Sequence, residues 1–282
     1  MDKKQIAGQT LKILEKESYH SPKGKTIDLS DDLERCIENT ECYLPEDLRV
    51  IRNRQEDESE PARQSEETDF EVKNETTLEG SRRLALNEGY EKIGVLNFAS
   101  ARNPGGGFLK GAQAQEESLA RSSGLYFSLK QCSGYYEYHR SHRSALYSDR
   151  MIWSPGCPVF RTDEGNLLNR IYKVSFITSP APNAGAVRRN EPENVQDIKP
   201  VLRRRSAGIL GLALYHGCNA IILGAWGCGV FQNNPQRVAK IFRNHLGPTG
   251  SYHNKFKMVL FSVLDKSRDK KTIQPFREMF GK

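Results

Sequence analysis

Four short apolar runs set the frame for this chain. KIGVLNFAS (residues 92–100), YKVSFITSP (172–180), NAIILGAW (219–226) and KFKMVLFSVL (255–264) are rich in β-forming residues. Short apolar runs bounded by turn residues read as buried strands, and helical patterns lie between them. Strands alternating with helices predict an α/β fold on a largely parallel or mixed sheet. The loops after three of these runs are rich in glycine or proline: SARNPGGG, SPAPNAG and GAWGCGVF. Ligands of open α/β sheets bind beyond the carboxyl ends of the strands, so these loops mark a candidate site.

The remaining elements follow from periodicity and caps. Helices are predicted over residues 3–16, from Ser30 onward, and over 77–87, 116–131, 195–217, 236–245 and 274–280. PVFRTD (158–163) reads as a further strand. RNRQEDESEPARQSEETDFEVKNE (52–75) is dense in charge and nearly empty of apolar residues, so it reads as a surface loop or linker. Its acidic part spans residues 55–69.

Bulk properties bound the class. A chain of 282 residues with 37% hydrophobic and 27% charged residues can bury a real core as one large domain or two small ones. No stretch has the ~18 apolar residues of a membrane span, and the first residues lack a secretory signal, so no membrane association is expected. None of the six cysteines sits in a CxxC pair or a zinc-spaced cluster. They read as free thiols in a reducing compartment, and no metal is expected. A net charge of +7 favours an anionic partner only weakly. GxxxxGK[ST] is absent, and no GxGxxG follows the first strand with an acid beyond it, which argues against nucleoside-triphosphate and nicotinamide sites.

NPGGGFLKGAQAQEESLARSSG (103–124) carries the chemistry. Three glycines let the backbone approach a ligand closely. Seven residues on begins QEE, with the adjacent carboxylates Glu116 and Glu117. Acids at a helix start are favoured by the macrodipole and need no function. Beside a ligand loop they can instead divide labour, one binding sugar hydroxyls and the other, with its pKa raised by its neighbour and by desolvation, acting as general acid in glycoside cleavage. GAWGCGVFQNNP, with a helix just after it, fits a phosphate cradle.

GGG, seven residues, then QEE is similar to the signature of poly(ADP-ribose) glycohydrolases. LNFASARNPGGGFLKGAQAQEESLARSSGLY resembles the bacterial-type branch, and VKNETTLEGSRRLA, ITSPAPNAG and GAWGCGVFQNNP resemble family segments in the expected order. The resemblance spans about residues 1–261. It implies a macrodomain-like three-layer α/β fold with a mixed, largely parallel central sheet. Residues 1–75 would form an N-terminal helical extension with the acidic loop, packed on a catalytic core of residues 76–282.

The same resemblance implies site roles. Glu117 would protonate the leaving ribose oxygen and then activate water. Glu116, with Gln115 beside it, and Asn103 would hold the distal ribose. Gly105, Gly106 and Gly107 would let the backbone close on it. Gly224, Ala225, Trp226, Gly227, Cys228, Gly229 and Val230 would wrap the diphosphate, and Phe231 would pack on the ribose. Asn183 and Ala184 would form the opposite wall. No cofactor is implied.

The implied partners are poly(ADP-ribose), ADP-ribose and poly(ADP-ribosyl)ated proteins. The implied protein is a monomer without direct nucleic-acid binding, cytoplasmic or, in a eukaryotic cell, nuclear. The implied activity is hydrolysis of ribose–ribose bonds from the chain end, reversing ADP-ribosylation. Two alternatives stay open: removal of single ADP-ribose groups from protein or nucleic acid, and a non-catalytic ADP-ribose-binding macrodomain. YYEYHRSHR (135–143) reads as a solvated aromatic surface or as a contact to adenine or a second ADP-ribose unit. Its His139 and His142 have no obvious partner. Arg203, Arg204 and Arg205 read as a solvated helix face.

Overall fold

The computed structural model describes residues 2–57 and 67–281. In chain order the elements begin with α1 (Lys3–Lys16), β1 (Ser18–His20), β2 (Thr26–Asp28), α2 (Ser30–Glu38), β3 (Glu41–Tyr43) and α3 (Pro45–Asp57). They continue with β4 (Asp69–Lys73), α4 (Thr77–Leu86), β5 (Ile93–Phe98), a 3-10 turn at Phe108–Lys110, α5 (Gln115–Ser122), α6 (Leu125–Lys130) and α7 (Ser133–Ser141). Next come β6 (Met151–Arg161), β7 (Leu167–Ser179), α8 (Ala184–Asn190), a 3-10 turn at Pro192–Asp197 and α9 (Ile198–Tyr215). The chain closes with β8 (Ala220–Leu223), α10 (Pro235–Leu246), β9 (Met258–Ser262) and α11 (Gln274–Phe280).

Seven strands form one sheet in the order β3-β6-β7-β5-β8-β9-β4, and β1 with β2 forms a small hairpin. β7, β5, β8, β9 and β4 pair parallel, while β3 and β6 pair antiparallel at one side. This is the expected mixed, largely parallel α/β sheet. The period of two sorts each strand between two apolar layers. Ala220, Ile222, Met258 and Leu260 join α4, α5, α6 and α7 on one face. Ile221, Leu223, Val259 and Phe261 join α3, α9, α10 and α11 on the other. Each fully buried aliphatic side chain contributes about 1.5–3 kcal/mol.

Several predicted elements differ in extent. The single helix expected over residues 116–131 is two, because Ser123 is extended and bridges to Val159. A Cβ on Gly124 would meet Leu33 at 2.8 Å, so α2 packs directly on the break. The strand expected at 158–163 begins at Met151 and runs through a bulge between Ser154 and Cys157, where Pro155 and Gly156 disguise it in the sequence. The charged 52–75 segment is not all loop: it holds the end of α3 and all of β4, whose Phe70 and Val72 pack on the core. The acidic stretch at 58–66 lies outside the described residues. Ser30 opens α2 but does not cap it; its amide and hydroxyl both donate to the Asp28 carboxylate.

Two of the N-terminal features reach the site end of the sheet. α1 is capped by Asp2 and packs Ala7 against Phe108 and Ala120. Thr10 of α1 donates to the Arg121 carbonyl. α1 thus braces the turn that follows the triple glycine.

Candidate active site

The loops at the carboxyl ends of the parallel strands meet at one end of the sheet. β5 runs into residues 99–107, β7 into 180–183 and α8, and β8 into 224–234 and α10. Asn183 and Asn234 cap α8 and α10, accepting hydrogen bonds from Ala186 and Arg237 amides at 3.0 Å each.

Glu116 and Glu117 differ sharply in environment. Glu116 is buried: its carboxyl accepts from the Ser100 amide at 2.6 Å and the Asn97 amide side chain at 3.3 Å. Desolvation pushes its pKa up to about 8, against those hydrogen bonds and with a further push from Glu117. Around it the hydroxyls of Tyr135 and Tyr136 and the Asn97 Oδ1 are buried with no protein partner among the described residues. Glu117 is half-buried, and its two oxygens accept from the Gly107 amide at 2.9 Å and the Ala114 amide at 3.0 Å. The carboxylate is fixed by the very glycine loop that precedes it.

The glycines have distinct reasons. Gly105 and Gly106 have φ of +67° and +60°, which side chains rarely adopt. A Cβ on Gly106 would collide with the Glu117 carboxylate. Asn103 is exposed and its carbonyl accepts from the Gly106 amide at 3.0 Å, closing the turn.

The second glycine loop is anchored at its base and open at its tip. Trp226 is buried and donates to the Ser179 carbonyl at 3.1 Å. Gly224 sits against the Ser262 carbonyl, and Gly227, at φ +70°, lies against Ala181 and Asn233. Cys228 is largely shielded, and burial pushes its thiol up to about 12. Gly229 has open space on its Cβ side and Val230 is 82% exposed. The consecutive amides of Gly229, Val230 and Phe231 donate to no protein acceptor among the described residues. Three free N–H groups in one tight loop suit an anion.

Two clefts open among the loops that follow the parallel strands. One, of about 690 Å3, is lined by Phe98, Gln115, Ala225, Cys228 and Gly229 together with Thr76 and Thr77. The other, of about 560 Å3, is lined by Arg102, Tyr147 and Asn183 among others. Glu116, Glu117 and the triple glycine belong to neither lining and lie on the stretch that joins them. Gln115 spends its whole amide on the scaffold, donating to Leu96 and Thr77 and accepting from the Phe98 amide. Ala184, the first residue of α8, is buried in the core. Phe231 is half-buried with its ring 6.0 Å from that of Tyr147.

The family model for the microbial-type PARG catalytic domain matches residues 7–162. The chain belongs to the microbial-type PARG family. It is similar to poly(ADP-ribose) glycohydrolase (PARG) from Thermomonospora curvata, with 43% identity over 99% of both chains and a TM-score of 0.93. The same enzyme bound to the inhibitor ADP-HPD matches at 42% identity over 98% of both chains, TM-score 0.90. The Deinococcus radiodurans PARG in complex with ADP-ribose matches at 44% identity, over 88% of this chain and 96% of that one, TM-score 0.81. No curated protein matches the chain. The macrodomain-like fold is therefore the expected one.

Other parts of the chain depart from the sequence reading. Tyr135, Tyr136 and His139 are not a solvated surface: all three are buried, and the two tyrosines lie near Glu116. His139 faces the Tyr135 carbonyl at 2.8 Å and the Ser148 hydroxyl at 2.8 Å, and burial pushes its pKa down to about 4. His142 stacks on Tyr138 at 3.7 Å between centroids. Arg205 is fully buried rather than on a solvated face. It pairs with Asp149 at 3.1 Å and donates to the Pro180 and Leu146 carbonyls. The apolar company of Arg205 on α9 (Val201, Leu202, Ile209) places it on the inner helix face, a signal that the run of three arginines hides. Cys42 and Cys132, expected as free thiols, are joined as a disulfide across 90 residues, because β3 and the start of α7 meet in space.

No helix among the described residues is long and apolar enough to cross a membrane.

Proposed function

We propose that this chain hydrolyses the ribose–ribose O-glycosidic bonds of poly(ADP-ribose), working from the chain end and releasing ADP-ribose. The observation that carries the reading is the contrast between the two glutamates. Glu117 alone combines access with a fixed position, held by amides of Gly107 and Ala114. Glu116 is too buried to meet a leaving group, and its raised pKa makes it a neutral hydrogen-bonding wall near neutral pH.

One accessible carboxylate must then serve twice. Glu117 protonates the leaving ribose oxygen as the glycosidic bond breaks. The resulting oxocarbenium ion needs a counter-charge, and the substrate's own diphosphate, seated on the Gly229–Val230–Phe231 amides, supplies it. Glu117, now ionised, takes a proton from water as it attacks. Asn103 and Phe231 border the distal ribose, Asn183 the wall beyond. The remainder of the terminal unit lies in the cleft of about 690 Å3, large enough for a nucleotide. ADP-ribosylated proteins in the cytoplasm are the substrates of this reading.

The test is Glu117→Gln with poly(ADP-ribosyl)ated protein and free ADP-ribose. Polymer hydrolysis falls by at least ~1,000-fold while ADP-ribose binding persists. A variant that still turns over polymer at near the native rate overturns the assignment of the acid. Wild-type protein that binds ADP-ribose and releases none from polymer would make this a binding module.

A further inference from the structure

The pocket of about 560 Å3 shares no lining residue with the larger cleft. Arg102 lines it and directly precedes Asn103, whose carbonyl closes the turn leading to Gly107 and so to Glu117. Even fully extended, the five residues from Arg102 to Gly107 span no more than ~18 Å. The lining therefore begins within ~18 Å of the glycine whose amide holds the acid.

Two arginines and two glutamates balance the formal charge of the lining, so what points to an anion is the pair of unpartnered guanidinium groups. The guanidinium groups of Arg102 and Arg143 have no ion pair or hydrogen bond among the described residues. Guanidinium forks match phosphate oxygens geometrically. Of the two carboxylates on the lining, Glu191 is occupied, accepting from Ser144 at 2.6 Å, Ala145 at 2.6 Å and Asn194 at 3.1 Å. It shapes the wall. Glu193 is exposed to solvent.

Its aromatic residue is held at a cost. Tyr147 has φ +58°, a conformation that side chains other than glycine and asparagine seldom take. Buried Arg205 keeps it there by donating to the Leu146 and Tyr147 carbonyls at 3.0 and 3.4 Å. The result is a ring presented on the pocket, facing the Asn183 side chain and touching the Phe231 ring. Backbone strain fixed by a buried cation is a reason to look for a ligand at that ring. Aromatic faces bind nucleobases without regard to sequence.

We propose that this pocket holds the leaving unit of the polymer, with Arg102 and Arg143 on its diphosphate and Tyr147 against its base. The proposal rests on the glycohydrolase reading. The oxygen that Glu117 protonates belongs to the adenosine diphosphate of the next unit, so a second pair of phosphates must lie near the acid whenever a ribose–ribose linkage is cut. The two clefts then divide the substrate at the scissile bond: the product unit on one side, the remaining chain on the other.

The experiment uses the full chain and the double variant Arg102→Ala/Arg143→Ala, with Arg143→Glu as a second probe. KM for purified poly(ADP-ribose) should rise about tenfold, with kcat within about twofold of wild type. The salt dependence of kcat/KM should become shallower, since two phosphate contacts are gone. Affinity for free ADP-ribose, which fills only the product side, should not change, nor should the unfolding midpoint. An unchanged polymer KM in both variants overturns the proposal. So does an ADP-ribose affinity that falls in step with KM, because the arginines would then serve the product cleft. Wild-type protein that releases no ADP-ribose from polymer sinks the glycohydrolase reading itself, and this proposal with it.

Discussion

The Glu117 carboxylate occupies the space where a Cβ on Gly106 would stand, ten residues of loop having folded back to bring the two together. Gly106→Ala therefore attacks the acid directly. The new methyl must displace the carboxylate or the turn, and φ +60° adds strain of ~1–3 kcal/mol. A misplacement of about 1 Å in a catalytic group costs roughly 100-fold in rate. Polymer hydrolysis should fall by at least that factor, while thermal unfolding reports a drop of only a few degrees. A fully active alanine variant would show that the loop does not hold the working position of Glu117.

Glu116 should make stability depend on pH in an unusual direction. Its folded pKa is raised to about 8, above the ordinary value of 4.5, chiefly by desolvation. Between those values the unfolded chain gives up the proton and the folded chain keeps it. Stability therefore falls as pH rises from about 4.5 to about 8, by ~1.4 kcal/mol per pH unit across that window, and levels off above it. Glu116→Gln has no such titration. The difference in unfolding free energy between wild type and variant, measured by denaturant from pH 5 to 9, should move in favour of the variant by a few kcal/mol. A difference that stays flat would mean that Glu116 is ionised in the fold.

The parallel core was legible because its strands are buried on both faces and so read as apolar runs between glycine-rich loops. β4 was not: Phe70 and Val72 alternate with Asp69, Glu71 and Lys73 in an edge strand, and a charge-dense context masks so short an alternation. The paired acids and both glycine loops could be found from residue type and spacing. Their difference in burial could not, because Asn97, Ser100, Tyr135 and Tyr136 reach Glu116 only through tertiary packing. Arg205 was masked by its neighbours and Tyr147 was invisible. One reads as part of a basic run, and the other's left-handed backbone leaves no mark on a sequence.

Arg205 ties together three pieces of the site end: Asp149, the Pro180 carbonyl after β7, and the Leu146–Tyr147 carbonyls. Removing one partner of a buried ion pair costs ~3–5 kcal/mol; here Asp149 keeps Arg204, and the loss falls on the Pro180, Leu146 and Tyr147 carbonyls that Arg205 satisfies. Arg205→Met should be destabilised by about that much, whereas neighbouring Arg203→Met should stay within ~0.5 kcal/mol, as surface substitutions do. Urea unfolding of both variants checks the contrast. Equal small effects would return Arg205 to the solvated helix face that its sequence context suggests.

The Cys42–Cys132 bond closes a loop of 90 residues between β3 and the turn before α7. Loop-closure entropy for a crosslink of that length is worth about 4–5 kcal/mol at most, and measured values run lower. Neither sulfur touches Glu117 or the glycine loops, so the bond should support stability without serving the chemistry. Cys132→Ser is expected to lower the denaturant midpoint by an amount equivalent to ~2–4 kcal/mol while leaving ADP-ribose release from polymer within about twofold. Wild-type protein under strong reductant should match the variant. If the midpoint of wild type does not respond to reductant, the two thiols are unbonded in solution. If hydrolysis is lost with the bond, the position of α7 behind Glu116 depends on it.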